Sequence, residues 1–224
     1  MSNIIRIKLK RKGNFPESFT KKKKLSEIIS NVITAAYNQD CNFVDEYLQS
    51  YSGCKLFILQ YACDWGWDDI ILKIIKDNHT CFDPNDSYVR KSFSIAIGRD
   101  HASTVSLLLE NGLNPNNDPN NDGSWCPLYH ATSKGNLDTL KVLLNHPRTR
   151  PINSLTYSLL NVACYFGFYD IVEEIIKYPD VDITRVTFIR KLPGKGMTSI
   201  HIAAFYGHSS TVSLLIDKGV NPDM

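Results

Sequence analysis

The chain has 224 residues, 43% apolar and 21% charged, with a formal net charge of +2; that suits one or two ordinary domains or a short repeat array. No apolar run approaches the ~20 residues of a membrane-spanning helix, and the basic start lacks the apolar core of a secretory signal. The charge is uneven: Met1–Lys24 holds nine basic residues and one acid, Glu17, a net +8 that leaves −6 for the remainder.

Residues 1–24 read as a short strand (Arg6-Ile7-Lys8-Leu9-Lys10), broken at Gly13 and Pro16, then a solvated basic arm ending in Lys21–Lys24. Four consecutive lysines also suit a nuclear-import signal, a phosphate backbone or an anionic lipid surface. From residue 25 onward, apolar residues recur at helical spacing between turn signals. Residues 25–50 offer only Val44, Tyr47 and Leu48, with no turn glycine. Residues 54–84 have Gly66 and the stripe Ile71, Ile74, Ile75, and residues 88–116 end in Thr104-Val-Ser-Leu-Leu-Leu-Glu-Asn-Gly112. Asn114–Gly123 is a polar turn. Residues 123–150 carry Pro127, Leu128, Tyr129, Gly135, Leu140, Leu143 and Leu144; residues 154–182 carry Asn161, Gly167, Val172, Ile175 and Ile176.

The connection 181–197 alternates and is β-branched around Val186-Thr-Phe188-Ile189, then turns at Pro193, Gly194 and Gly196. It reads as a lengthened β-hairpin finger. Between Ile183 and Gly196 it bears Arg185, Arg190, Lys191 and Lys195 and no acid, so it is a candidate contact site.

The last stretch, Gly196-Met-Thr-Ser-Ile-His-Ile-Ala-Ala-Phe-Tyr-Gly-His208 with Thr211–Gly219, has a mechanical reading. Thr198 can cap a helix through a backbone N–H, and Ala203 and Ala204 let two helices approach. Gly207 permits a turn, Val212, Leu215 and Ile216 form an apolar stripe, and Gly219 ends the second helix in the left-handed conformation. The stretch resembles the ankyrin repeat, with seven identities: Gly196, Thr198, His201, Ala203, Ala204, Gly207 and His208. Ser199 stands in place of the family's Pro, and Asn161 replaces the family's His one copy upstream. With the first Ala as register mark, copies fall at Ala35, Ala62, Ala96, Ala131, Ala163 and Ala203, spaced 27, 34, 35, 32 and 40 against the ~33 of ankyrin units. The resemblance implies an all-α ankyrin-repeat solenoid of helix-turn-helix units with β-hairpin fingers, residues 25–50 being a degenerate first repeat. The sequence stops at Asn221–Met224, where another finger would begin, so a piece of a longer protein is expected.

No Cys-x-x-Cys, His-Glu-x-x-His, phosphate loop or Gly-x-Ser-x-Gly elbow is present. Cys126, His130 and Asp138 make a nucleophile set only on paper, because Cys126 occupies the capping slot of its repeat. The expectation is no enzyme, no cofactor and no metal. Cys63 and Cys164 fall in the buried second-alanine slot, which favours free thiols in a reducing compartment.

What remains is recognition. The resemblance puts partner contacts at the finger positions Arg90, Trp125, Tyr157 and Met197 and at the pair before each turn on the concave side. Those pairs include Trp65, Arg99, Lys134, Tyr165, Phe166, Phe205 and Tyr206, a row rich in types enriched at binding hot spots. With Arg185, Phe188, Arg190, Lys191 and Lys195 of the long finger, they make the expected site. The expected function is a monomeric, non-catalytic protein-binding platform, cytoplasmic or nuclear. Two alternatives are a targeting module of a larger enzyme and nucleic-acid binding through arm and finger. The richness in Asn, Lys and Ile is similar to ankyrin proteins of amoebae, intracellular bacteria and large viruses, and a bacterial origin would add an effector role in a host cytosol or nucleus.

Overall fold

The computed structural model describes residues 27, 30–31, 34–35, 55–76, 82–116, 126–149, 159–179, 181–184, 186 and 196–221. The chain divides into two compact units, Met1–Cys54 and Lys55–Met224. In the first, Glu27, Ser30, Asn31, Thr34 and Ala35 are helical, the Thr34 hydroxyl donates to Ser30 O at 2.8 Å, and Ala35 is buried. The basic arm and Val44, Tyr47 and Leu48 lie outside the described residues.

The second unit contains ten helices among the described residues, in pairs: α1 (Lys55–Trp65) with α2 (Asp68–Lys76), α3 (Ser87–Gly98) with α4 (Ala102–Glu110), α5 (Pro127–Lys134) with α6 (Leu137–Asn145), α7 (Leu159–Phe166) with α8 (Tyr169–Ile175), and α9 (Ser199–Phe205) with α10 (Ser209–Asp217). None is long and apolar enough to cross a membrane. Local chemistry sets the ends. Asp86 caps α3 by accepting from Tyr88 N at 2.7 Å and Val89 N at 3.4 Å. Pro127 opens α5, where its missing N–H costs nothing. Asp68 and Asp69 at the start of α2 and Lys73 and Lys76 at its end suit the helix dipole.

Each pair packs on the next, first helix on first helix and second on second, so α1, α3, α5, α7 and α9 form an inner layer and the even-numbered helices an outer one. Ala62, Ala96, Ala131, Ala163 and Ala203 are fully buried, and their small side chains allow this close approach. Leu59, Phe93, Ile97, Leu128 and Leu159 fill the inner layer; Ile71, Ile74, Leu108, Leu140, Leu143 and Ile175 fill the seam with the outer one.

Polar ties repeat from pair to pair. His101 Nε2 donates to Asp64 O at 3.0 Å and His208 Nε2 to Tyr165 O at 3.2 Å, each reaching the carbonyl of the preceding repeat. The His208 ring lies over Gly167 (φ +73), where a Cβ would collide with it. At the one turn where Asp100 replaces glycine (φ 60), the next repeat offers Asn136 instead of a ring. Asn136 donates to Ile97 O, and the Asp100 carboxylate accepts from Thr139 N at 3.1 Å. The two departures from the family pattern also meet: the buried Ser199 hydroxyl donates to Asn161 Oδ1 at 2.7 Å across repeats.

Three expectations need correction. Thr198 precedes α9, but no backbone N–H of the helix uses its hydroxyl; that hydroxyl lies 2.7 Å from His201 Nδ1, which competes for it. The buried stripe of α10 is Thr211, Leu214 and Leu215, while Val212 is half-buried and Ile216 is exposed. In the identical Thr-Val-Ser-Leu-Leu of α4, Val105 and Leu109 are buried because α6 packs on α4; no described helix packs on that side of α10. Arg90 is no finger residue: α1 and α3 start earlier than the inner helices downstream, and Arg90 lies in the first turn of α3. The finger at 181–197 falls largely outside the described residues. Its start is a turn in which Asp182 Oδ1 accepts from Thr184 N at 2.9 Å, and Val186 is exposed.

Candidate functional site

The exposed stripes of the inner helices form one face. On α1 they are Tyr61 and Trp65; on α3 and its cap, Tyr88, Lys91 and Arg99; on α5, Lys134; on α7, Phe166, with Tyr165 half-buried beside it; on α9 and its cap, Phe205 and Tyr206. Contacts between neighbouring repeats put the stripes in register. Phe57 and Tyr88 have ring centroids 5.5 Å apart, Arg99 Nε lies 2.7 Å from Asp64 Oδ1, and Tyr165 and Tyr206 are 4.6 Å apart.

Three turns share a ring-Gly-ring triplet. Trp65 and Trp67 stack across Gly66 at 6.3 Å and 17°, Phe166 and Phe168 across Gly167 at 5.5 Å and 18°, and Tyr206 and His208 across Gly207 at 6.4 Å and 19°. The tight turn returns the chain so that the second ring backs the first. Trp65 is still 57% exposed and Phe166 45%. A large apolar surface held by its neighbour loses little rotamer freedom on binding. Edge-to-face contacts extend the array: Tyr165 with Phe166 at 4.8 Å and 84°, and Phe205 with Tyr206 at 5.2 Å and 75°, with Phe205 58% exposed.

Partial burial and a hydrogen bond with the Tyr165 hydroxyl hold the Tyr206 phenol above its usual pKa, so it stays neutral. His130, on α5, is pushed below the usual imidazole value by burial and then by Lys134, which favours its neutral form. Cys63 and Cys164 are fully buried, and burial pushes both thiols up, Cys164 to about 12, so neither is a nucleophile at neutral pH. Cys126 precedes α5, His130 lies within it and Asp138 lies in the first turn of α6. No group of three or more potential metal ligands occurs among the described residues.

Trp65, Arg99, Lys134, Tyr165, Phe166, Phe205 and Tyr206 therefore share one face, while Met197 is half-buried just before α9. Trp125, Tyr157, Arg185, Phe188, Arg190, Lys191 and Lys195 lie outside the described residues. Tyr61, Tyr88 and Lys91 were missed. Stepping back four residues from Trp65, and eight and eleven from Arg99, finds them once Asp86 is read as the start of a longer helix.

Residues 93–187 match the family model "Ankyrin repeats (3 copies)" and residues 195–224 match "Ankyrin repeat", together more than half the chain. Over 141 residues the chain is 28% identical to the tyrosine-protein kinase HTK16 of Hydra vulgaris, an alignment covering 61% of this chain and 18% of the kinase. Over 111 residues it is 32% identical to ankyrin repeat-containing protein C6C3.08 of Schizosaccharomyces pombe, covering 46% of this chain and 45% of that one. The chain thus spans less than half the length of either relative. The crystal structure of the human ASB11 ankyrin repeat domain superposes with a TM-score of 0.58 at 21% identity, covering 73% of this chain and 69% of that one, a likeness of fold.

Proposed function

Because the chain belongs to the ankyrin-repeat family, whose repeats mediate contacts between proteins, we propose that residues 55–221 are a non-catalytic platform gripping a protein partner across the inner-helix face. The observation that supports this most is the set of ring pairs at three turns, each backing an exposed ring with a stacked partner. Anchors of this kind dominate binding energy when a partner covers them. In this reading Trp125, Tyr157 and Met197 join the row the partner covers, and Arg185, Phe188, Arg190, Lys191 and Lys195 of the long finger set specificity.

The test is affinity capture followed by titration of the purified partner against Trp65→Ala and Phe166→Ala. Each should weaken binding by about 2 kcal/mol or more, roughly 30-fold, with the melting temperature unchanged. Wild-type affinity in both variants would remove the face from the account. Replacing 185–195 by a short turn should change which partners are captured, and equal partner sets would remove the finger.

A second reading has an observation of its own. The match to a tyrosine-protein kinase covers 18% of that protein, which favours a targeting module within a longer enzyme. The coding sequence downstream of residue 224 decides it.

A further inference from the structure

The two helix layers differ in charge. The outer helices α2, α4, α6, α8 and α10 hold eight acids against three lysines. Among described side chains of the inner helices, Arg90, Lys91 and Lys134 stand against Asp64 alone, and Asp64 is taken up by Arg99. Lys91 and Lys134 are exposed, with no ion pair among the described residues. The charge is also placed. The cations of the exposed face sit on α3 and α5, with Tyr61 and Trp65 on one side and the rings of α7 and α9 on the other.

Resting on the reading above, we propose that the partner segment is an acidic peptide with apolar or aromatic side chains at both ends and carboxylates between them. Inner helices spaced ~8–10 Å apart make a face roughly 32–40 Å long, which an extended chain rising ~3.3 Å per residue spans with about a dozen residues. Its carboxylates meet Lys91 and Lys134, and its end side chains meet the rings. A nucleic acid would also use rings and cations. However, at one phosphate per ~3.4 Å of strand in a B-form duplex it presents several times more charges than this face neutralises, and the acidic outer layer repels it.

The experiment is selection of a random twelve-residue peptide display library on the 224-residue chain, in parallel with Lys91→Glu/Lys134→Glu, whose fold is checked by circular dichroism. Wild type should enrich peptides with a net negative centre and apolar ends, at least tenfold tighter than their Gln-for-Glu versions. The double variant should lose that preference and favour lysine-centred peptides. Neutral or basic enrichment, no enrichment, or a twelve-nucleotide oligo-uridine binding tighter than the selected peptides would each overturn the proposal. If Phe166→Ala and Phe205→Ala abolish binding while charge reversal changes nothing, the acidic partner fails and the aromatic face stands. If the ring variants bind as wild type, the face itself fails.

Discussion

At the level of single residues, buried polar partners and close turns carry the specificity of the stack. Removing the Ser199 hydroxyl leaves Asn161 Oδ1 without that buried donor, so Ser199→Ala should destabilise by about 1–3 kcal/mol. Denaturant titration should show Asn161→Ala and the double variant coupled rather than additive; additive effects would mean that the bond contributes nothing. Gly167→Ala and Gly207→Ala separate strain from clash. Both sites have positive φ, which costs a non-glycine residue about 1–2 kcal/mol. Only at Gly167 does the new Cβ meet the His208 ring, with nothing within 4 Å at Gly207, so Gly167→Ala should cost measurably more. The single turn glycines and alanine register marks were legible in sequence because each repeats within the chain. The Ser199–Asn161 bond was not: its partners lie 38 residues apart, and each alone reads as a lapse from the pattern.

At the level of helices, one sequence in two settings shows what neighbours contribute. Leu109 and Ile216 occupy the same place in Thr-Val-Ser-Leu-Leu helices, yet Leu109 is 2% exposed and Ile216 45%. Leu109→Ala should cost about 2–5 kcal/mol and Ile216→Ala within about 0.5 kcal/mol, read from chemical denaturation. Periodicity shows which residues form a stripe, but it cannot show which side of the stripe a neighbour covers. The same limit misplaced Arg90. The register borrowed from the C-terminal repeat starts α3 too late, whereas the Asp86 cap shows that the helix reaches back to expose Tyr88 and Lys91.

At the scale of the whole array, pairs that cannot bury their apolar faces alone stack side by side. That arrangement leaves the inner face open, with three of its rings backed across the turns and its cations between two aromatic ends, and on the reading proposed above this is the face a partner covers. The helix-turn-helix rhythm and the aromatic row were readable because they follow the repeat period. The backing of Trp65, Phe166 and Tyr206 by the residue two positions on was hidden, because a ring-Gly-ring triplet becomes a stacked pair only once the turn geometry is known.

The most direct measurement is hydrogen exchange on the 224-residue chain, free and saturated with its purified partner, alongside the affinity of Phe166→Ala/Phe205→Ala. Slowed exchange confined to α1, α3, α5, α7 and α9 and their turns, with at least a 30-fold loss of affinity in the variant, is the expected result. Protection on the outer helices, with unchanged affinity, would contradict it.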